Sequence, residues 1–379
     1  MIHPFFNLAF KVMRAITGKI ALMTSLLLIP VFNAFAEEER DPGFFRNLYI
    51  QPVMHYGGVW AHRSDLRVFS SYGLPWFELN VGREKTGREQ WEQLYNYPSL
   101  GAGFSRINLG HDALGQASSL FGYTDIRLTR GTNFSSGFKL ALGLGHFNRV
   151  YDSDTNPLNV AVSTNINLYF NLAYFFTYNL NDHLSLRAGA GLVHFSNGAY
   201  KKPNRGLNVL QTSIGVKYRF SPDHRLIEEY IEPAETNYGL TIALTGGVMQ
   251  PDAGMPNYGV HSFSLNTTRR FNHLQRLGLG FDLFYNEYVF EKLNGEEMTY
   301  SKWQSLRKGA YLSHELIFKN MVIVANLGFY FPHEITPPTP YYQRIGLRYY
   351  ISKGTLLNLS LIAHKGRAEV VEWGIGYSF

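Results

Sequence analysis

The sequence predicts an all-β protein, a transmembrane antiparallel β-barrel of about 14–16 strands, on three observations. Charged residues make up only 17% of the chain and aromatic residues 15%, whereas about a quarter of a soluble domain is charged. After residue 36, many segments of about ten residues alternate between apolar and polar positions, which is typical of transmembrane strands. The first 36 residues have the composition of a secretory signal peptide.

The alternation is clearest in Ile166–Tyr178, where the even positions are all apolar or aromatic and the odd positions include Asn167 and Asn171. Only a closed barrel satisfies every hydrogen bond of such strands within hydrocarbon. Sixteen segments carry this pattern, and we predict them as strands: 48–58, 75–84, 98–108, 117–129, 134–147, 166–179, 183–196, 207–220, 238–249, 259–270, 276–290, 308–319, 321–332, 341–351, 354–365 and 370–379.

The N-terminal segment 1–36 contains three basic residues, an apolar run from Ile20 to Phe32, and an Ala34-Phe35-Ala36 cleavage pattern. Such a segment directs secretion and is removed. Its removal would lower the formal charge of +6 by three, so the basic balance is no argument for nucleic-acid binding. The chain has no cysteine, which excludes a disulfide scaffold and thiol chemistry.

The segment from Glu372 to Phe379 resembles the C-terminal insertion signal of outer-membrane proteins, because aromatic residues alternate up to a final phenylalanine. A similar pattern ends at Phe220, and a polar connection, 221–237, follows it. Two organisations are therefore open. We prefer one barrel with a first half, 37–220, and a second half, 238–379. The alternative is an eight-strand half followed by a separate second β half.

The candidate catalytic residues are His194, Ser196 and Asn208. His194 and Ser196 are two residues apart, so both side chains lie on one face of a strand. That face also carries Leu192 and Ala190 and must meet lipid, and Asn208 lies on the same face of the next strand. A serine made nucleophilic by a histidine, with a third polar group orienting the imidazole, is the arrangement used in acyl transfer.

Residues of the following loop could assist this chemistry. Donors for an oxyanion are expected from Asn197, Asn204 and the backbone near Gly198 and Ala199. The cationic side chains of the loop could contact lipid phosphates; they are Lys201, Lys202 and Arg205. The other histidines lack metal-ligand spacing and are interpreted as wall or rim residues, among them His55, His62, His146 and His364.

The motif His194-Phe195-Ser196-Asn197-Gly198 with Pro203-Asn204 and Gly206 resembles the active site of lipid A 3-O-deacylases of the PagL type, also described as acyloxyacyl hydrolases. This resemblance implies an eight-strand outer-membrane barrel that removes an acyl chain from lipid A, with His194 and Ser196 as catalytic residues. The third member of that family's site is often a glutamate, and here Asn208 takes its place. Outer-membrane phospholipase A has a similar spacing and uses an asparagine.

We therefore expect an esterase of the Gram-negative outer membrane that acts on an outer-leaflet lipid by a Ser–His mechanism and needs no cofactor. The phospholipase-like alternative would add a calcium requirement, although Lys201 and Lys202 occupy the loop where an acidic calcium ligand would stand. A pore or an inactive structural barrel is the non-enzymatic alternative, because a barrel of about 14–16 strands is wide enough for a channel.

Overall fold

A computed structural model of the chain describes residues 45–71, 73–222, 225–295, 301–332 and 339–379. The predicted signal peptide, 1–36, lies outside these residues. No helix in the described part of the chain combines the length and the apolar composition needed to cross a membrane.

The described residues contain sixteen strands, which correspond one to one with the predicted segments. They are β1 Leu48–Val59, β2 Leu74–Glu84, β3 Ser99–Asn108, β4 Gln116–Arg130, β5 Phe134–Phe147, β6 Ile166–Asn179, β7 Leu184–Ser196, β8 Leu207–Arg219, β9 Tyr238–Met249, β10 Tyr258–Asn272, β11 Gln275–Asn286, β12 Arg307–Phe318, β13 Met321–Tyr330, β14 Tyr341–Tyr350, β15 Thr355–His364 and β16 Arg367–Ser378.

Two α-helices and one 3-10 turn complete the described elements: the 3-10 turn Ser64–Phe69, α1 Gln90–Leu94 and α2 Glu287–Asn294. The predicted strand 276–290 is too long, because α2 begins directly after Asn286. The Asn286 side chain accepts hydrogen bonds from the backbone N–H groups of Tyr288 and Val289. Asparagine satisfies the free donors of a first helical turn in this way and ends the strand.

The strands close into two antiparallel barrels of eight strands each. Strand β1 pairs with β2 and with β8, while β9 pairs with β10 and with β16. The predicted fold class, an all-β transmembrane barrel protein, is confirmed, and the alternative of an eight-strand half followed by a second β half describes it. Our preference for one barrel was wrong, because β1–β8 and β9–β16 each close into a barrel of their own.

The chain divides into two compact units. One contains β1–β8 and the segment 203–231, and the other contains β9–β16 together with Gly198–Lys202. The polar connection 221–237 links the end of β8 to the start of β9.

The interior of the first barrel is filled by paired polar side chains and aromatic rings. Glu78 lies 2.5 Å from the Lys139 ammonium and 3.4 Å from the His55 imidazole, and Arg187 binds Asp125 through both nitrogens of its fork. All of these side chains are buried. Buried charges persist only when they are paired and hydrogen-bonded, as in the pairs Lys139–Glu78 and Arg187–Asp125.

The interior of the second barrel is filled in the same manner. Arg344 lies 2.7 Å from Asp282 and 3.2 Å from Glu372, and Arg348 lies 2.6 Å from Glu315. An eight-strand barrel is just wide enough for side chains to fill. The pore alternative depended on the width of a single 16-strand barrel and loses that support.

Candidate active site

His194 and Ser196 both point to the outer wall of the first barrel. Along β7 the even residues are exposed or half-buried, whereas Ser185, Arg187, Val193 and Phe195 on the odd face are buried. The same alternation in β8 places Asn208 outward, with Val209 inward. The polar groups of the candidate site therefore share the lipid-facing side of the barrel.

Phe195 fixes the orientation of this strand end. Its ring lies inside the barrel, 2% exposed, with centroids 5.0 Å from Phe147 and 5.4 Å from Tyr169 in edge-to-face contacts. Such aromatic pairs add stability beyond the area they bury. Because successive strand residues point to opposite faces, the anchoring of Phe195 turns His194 and Ser196 outward.

His194 and Asn208 face each other directly across the β7–β8 hairpin. The distance between His194 Nδ1 and Asn208 Oδ1 is 2.6 Å. A carbonyl oxygen can only accept, so the imidazole must carry its proton on Nδ1 and leave Nε2 as a base. This is the tautomer that a histidine needs in order to take a proton from a serine.

Ser196 is engaged by the loop that follows β7. Asn204 Nδ2 donates to Ser196 Oγ over 2.9 Å, and Asn204 Oδ1 accepts from the backbone N–H of Asn197 over 3.3 Å. The Asn197 side chain in turn donates to Ser163 Oγ over 3.1 Å. Asn204 is thus held with its amide N–H at the serine oxygen, close to where a tetrahedral oxyanion would develop during acyl transfer.

The His194 imidazole lies in the space that a side chain at position 206 would fill, and Gly206 has none. This glycine has a φ of +74°, a conformation that glycine adopts without steric cost, and a Cβ at this position would lie 2.8 Å from His194 Cε1. Its backbone N–H donates to Ala161 O over 3.0 Å, which ties the loop to the neighbouring 148–165 loop. Gly206 therefore allows the positive φ of the backbone and leaves space for the His194 ring.

His62 also joins the site, although its sequence context gave only a rim interpretation. It lies in the loop after β1, and its Nδ1 is 3.0 Å from Asn208 Nδ2. His62 is 146 residues away from Asn208 in the sequence. It lies in a loop without periodicity, so no local pattern predicts the contact. Only the closure of β1 on β8 brings it near.

The remaining residues of the predicted site are those proposed to contact the oxyanion or the lipid phosphates. Arg205 is exposed and lies 2.8 Å from Asp65, which compensates its charge. Gly198 and Ala199 are buried with φ of +64° and +70°, Lys201 is exposed and Lys202 half-buried; these four belong to the compact unit that contains β9–β16. Their predicted roles remain predictions.

No group of three or more His, Cys, Asp or Glu side chains with metal-binding geometry occurs among the described residues. The polar network around His194 is made of amides, a hydroxyl and imidazoles instead. Neutral groups of this kind suit proton transfer and hydrogen bonding to a developing oxyanion.

The fold defines the class of the protein, a transmembrane β-barrel protein. Within that class the family is shown by two matches. Residues 77–217 match the model of lipid A 3-O-deacylase (PagL), and residues 238–379 match the model of the acyloxyacyl hydrolase C-terminal domain. Together the two models span most of the chain, which belongs to the lipid A 3-O-deacylase (PagL) family of ester hydrolases.

No curated protein matches the chain. Among solved structures, the Neisserial surface protein A matches with 11% identity and a TM-score of 0.33, covering 46% of this chain and 97% of that one. The Pseudomonas putida toluene transporter TodX matches with 10% identity and a TM-score of 0.17, covering 87% of this chain and 86% of that one. These scores are too low to bear on the function of this chain.

Proposed function

We propose that this protein is an outer-membrane esterase that hydrolyses an acyl ester of lipid A, in the manner of a 3-O-deacylase, with Ser196 as nucleophile and His194 as base. The observation that carries this proposal is the outward-facing pair, with His194 Nδ1 bound to Asn208 Oδ1 at 2.6 Å. Membership in the PagL family supports the substrate class.

The proposed reaction has two halves. Ser196 Oγ attacks the carbonyl carbon of the ester and passes its proton to His194 Nε2, and the tetrahedral oxyanion accepts a hydrogen bond from Asn204. His194 then returns the proton to the leaving sugar oxygen. A water molecule, deprotonated by the same imidazole, then attacks the acyl-serine. The bond to Ser196 Oγ breaks, the imidazole returns the proton to this oxygen, and the fatty acid is released.

The position of the site suits a lipid of the outer leaflet. The wall below Ser196 is apolar, with Leu192, Ala190 and Ala188 on β7, and acyl chains in the bilayer would lie against it. The loops at the site's end of the barrel include 60–73 and 148–165, whereas the opposite end of β6 and β7 is joined across only 180–183. External loops of such barrels are long and periplasmic turns are short.

The test is mass spectrometry of lipid A and phospholipids from cells that express the wild type, Ser196→Ala or His194→Ala. We expect a lipid A species lighter by one acyl chain with the wild type only. A matched control is available, because Ser118 and His146 are paired across β4 and β5 on the same outward face. The variants Ser118→Ala and His146→Ala should retain the activity, and an unchanged lipid A profile with folded wild type would refute the proposal.

A phospholipase A-like activity is the second candidate. The site resembles that of outer-membrane phospholipase A because an asparagine, here Asn208, is its third member. The same experiment separates the two, because a phospholipase would produce lysophospholipids and leave lipid A intact. The match of residues 77–217 to the lipid A 3-O-deacylase model favours lipid A as the substrate.

A further inference from the structure

Asn208 lies between two imidazoles. Its Oδ1 is 2.6 Å from His194 Nδ1, and its Nδ2 is 3.0 Å from His62 Nδ1. We propose that His62 is a positioning residue that fixes the orientation of the Asn208 amide and, through it, the catalytic tautomer of His194. This inference rests on the proposed function of the site as an esterase.

The donor and acceptor roles follow from the chemistry of an amide. An asparagine side chain has a carbonyl that only accepts and an NH2 group that only donates, and its two ends have nearly the same shape. The Asn208 NH2 group must donate to His62, so His62 Nδ1 acts as an acceptor. The Asn208 carbonyl then faces His194, whose Nδ1 must carry the proton.

The reverse orientation of the amide would defeat catalysis. If the NH2 group faced His194, Nδ1 would have to accept and the proton would move to Nε2, the nitrogen that must remove the proton of Ser196. An imidazole held in the wrong tautomer cannot act as that base. A carboxylate at position 208 would not have this ambiguity, because both of its oxygens accept.

The loop that carries His62 is tethered to the same place. The backbone N–H of Trp60 donates to the backbone carbonyl oxygen of Asn208 over 2.9 Å. Three residues beyond His62, Asp65 binds Arg205 of the 197–206 loop at 2.8 Å and also lies 3.5 Å from Arg63. The exposed imidazole of His62 is therefore presented to Asn208 by a loop fixed on both sides.

The decisive experiment is a double-mutant cycle on the full-length protein in detergent micelles, with fatty acid release from purified lipid A as the measured rate. His62→Ala should lower kcat by about two- to twelvefold, the value of one hydrogen bond, with KM unchanged. In the Asn208→Asp background, the same His62→Ala substitution should leave kcat unchanged. Ser64→Ala, at an exposed position of the same loop, is the matched control and should have no effect.

A merely structural role for His62 predicts the same loss in both backgrounds, and that result, or no loss in either, would overturn the inference. A second readout does not depend on turnover, since the ¹⁵N chemical shifts of the imidazole show which nitrogen of His194 carries the proton. We expect the Nδ1–H form in the wild type and in Asn208→Asp, and a mixture in His62→Ala. A tautomer unchanged by His62→Ala would also refute the inference. Absence of esterase activity from the wild type itself would instead refute the proposed function.

Discussion

Replacing Gly206 by alanine tests whether the position of the His194 imidazole controls the reaction. The new Cβ would lie 2.8 Å from His194 Cε1 and 3.4 Å from Nε2, while the nearest backbone atom, Phe195 O, is 3.3 Å away. The movable partner is the ring, which must retreat by about 0.6 Å to restore ordinary van der Waals contact. This movement would displace Nε2 from the position at which we propose that it accepts the proton of Ser196.

The expected loss can be worked from that displacement. A misplacement of about 1 Å costs on the order of a hundredfold in rate, so a shift of about 0.6 Å should lower kcat by roughly tenfold. The backbone adds a separate cost, because a residue with a Cβ at positive φ loses about 1–2 kcal/mol. That cost affects stability and not the chemistry.

Gly366→Ala separates the two effects. Gly366 has a φ of +72°, close to the +74° of Gly206, and a Cβ added there would have no heavy atom within 4 Å. Both variants should lose similar stability when their unfolding is followed by heat-dependent migration in detergent gels. Only Gly206→Ala should lose turnover of lipid A in micelles. Equal kcat in the two variants would refute the argument that this glycine makes room for the histidine.

Further predictions concern the remaining parts of the site and the second barrel. Asn208→Leu should lower kcat by tenfold or more, measured as fatty acid release, because an isosteric apolar group cannot orient the imidazole; Leu210→Ala, outward on the same strand, is its control. Asn204→Ala should lower kcat by about a hundredfold with little change in KM, as for other oxyanion donors; an effect confined to KM would contradict that role. Chelation of calcium should leave lipid A hydrolysis unchanged, since Lys201 and Lys202 disfavour a cation in the loop, and a loss restored by calcium would favour the phospholipase-like alternative. Arg344→Met should destabilise the second barrel by about 3–5 kcal/mol, because Asp282 and Glu372 would remain buried without their cationic partner. Arg269→Met, at an exposed position of β10, should not change the unfolding temperature.

The strands and the faces of their side chains could be predicted from the sequence because both depend on local alternation. In β7, the apolar even positions alone indicated that His194 would point to lipid, and the structure places it there. The closure could not be predicted in the same way. The alternation of Leu207–Arg219 would be the same whether this strand paired with β9 or with β1. Only the long-range pairing of β8 with β1 decides between one barrel and two.

Contacts made by loops were the part of the site that the sequence did not reveal. His62 has no periodic neighbours that would fix the direction of its side chain, and its partner Asn208 is far away in the chain. The α2 helix was missed for a different reason, since Asn286 followed by Glu287 is an ordinary helix start that the apolar run after it concealed.

The location of the chemistry follows from the width of the barrel. Eight strands leave an interior that side chains fill, and here Phe195, Tyr169 and Phe121 occupy it at the level of the site. A substrate with several acyl chains cannot enter such an interior, so polar groups that act on it must lie on the outer wall, where lipid arrives laterally. On that wall, every polar group needs a partner to avoid an unsatisfied donor or acceptor in hydrocarbon. Two series of hydrogen bonds meet this demand, from Ser196 to Asn204 and from His194 through Asn208 to His62. The same hydrogen bonds orient the atoms to which we assign the catalytic roles.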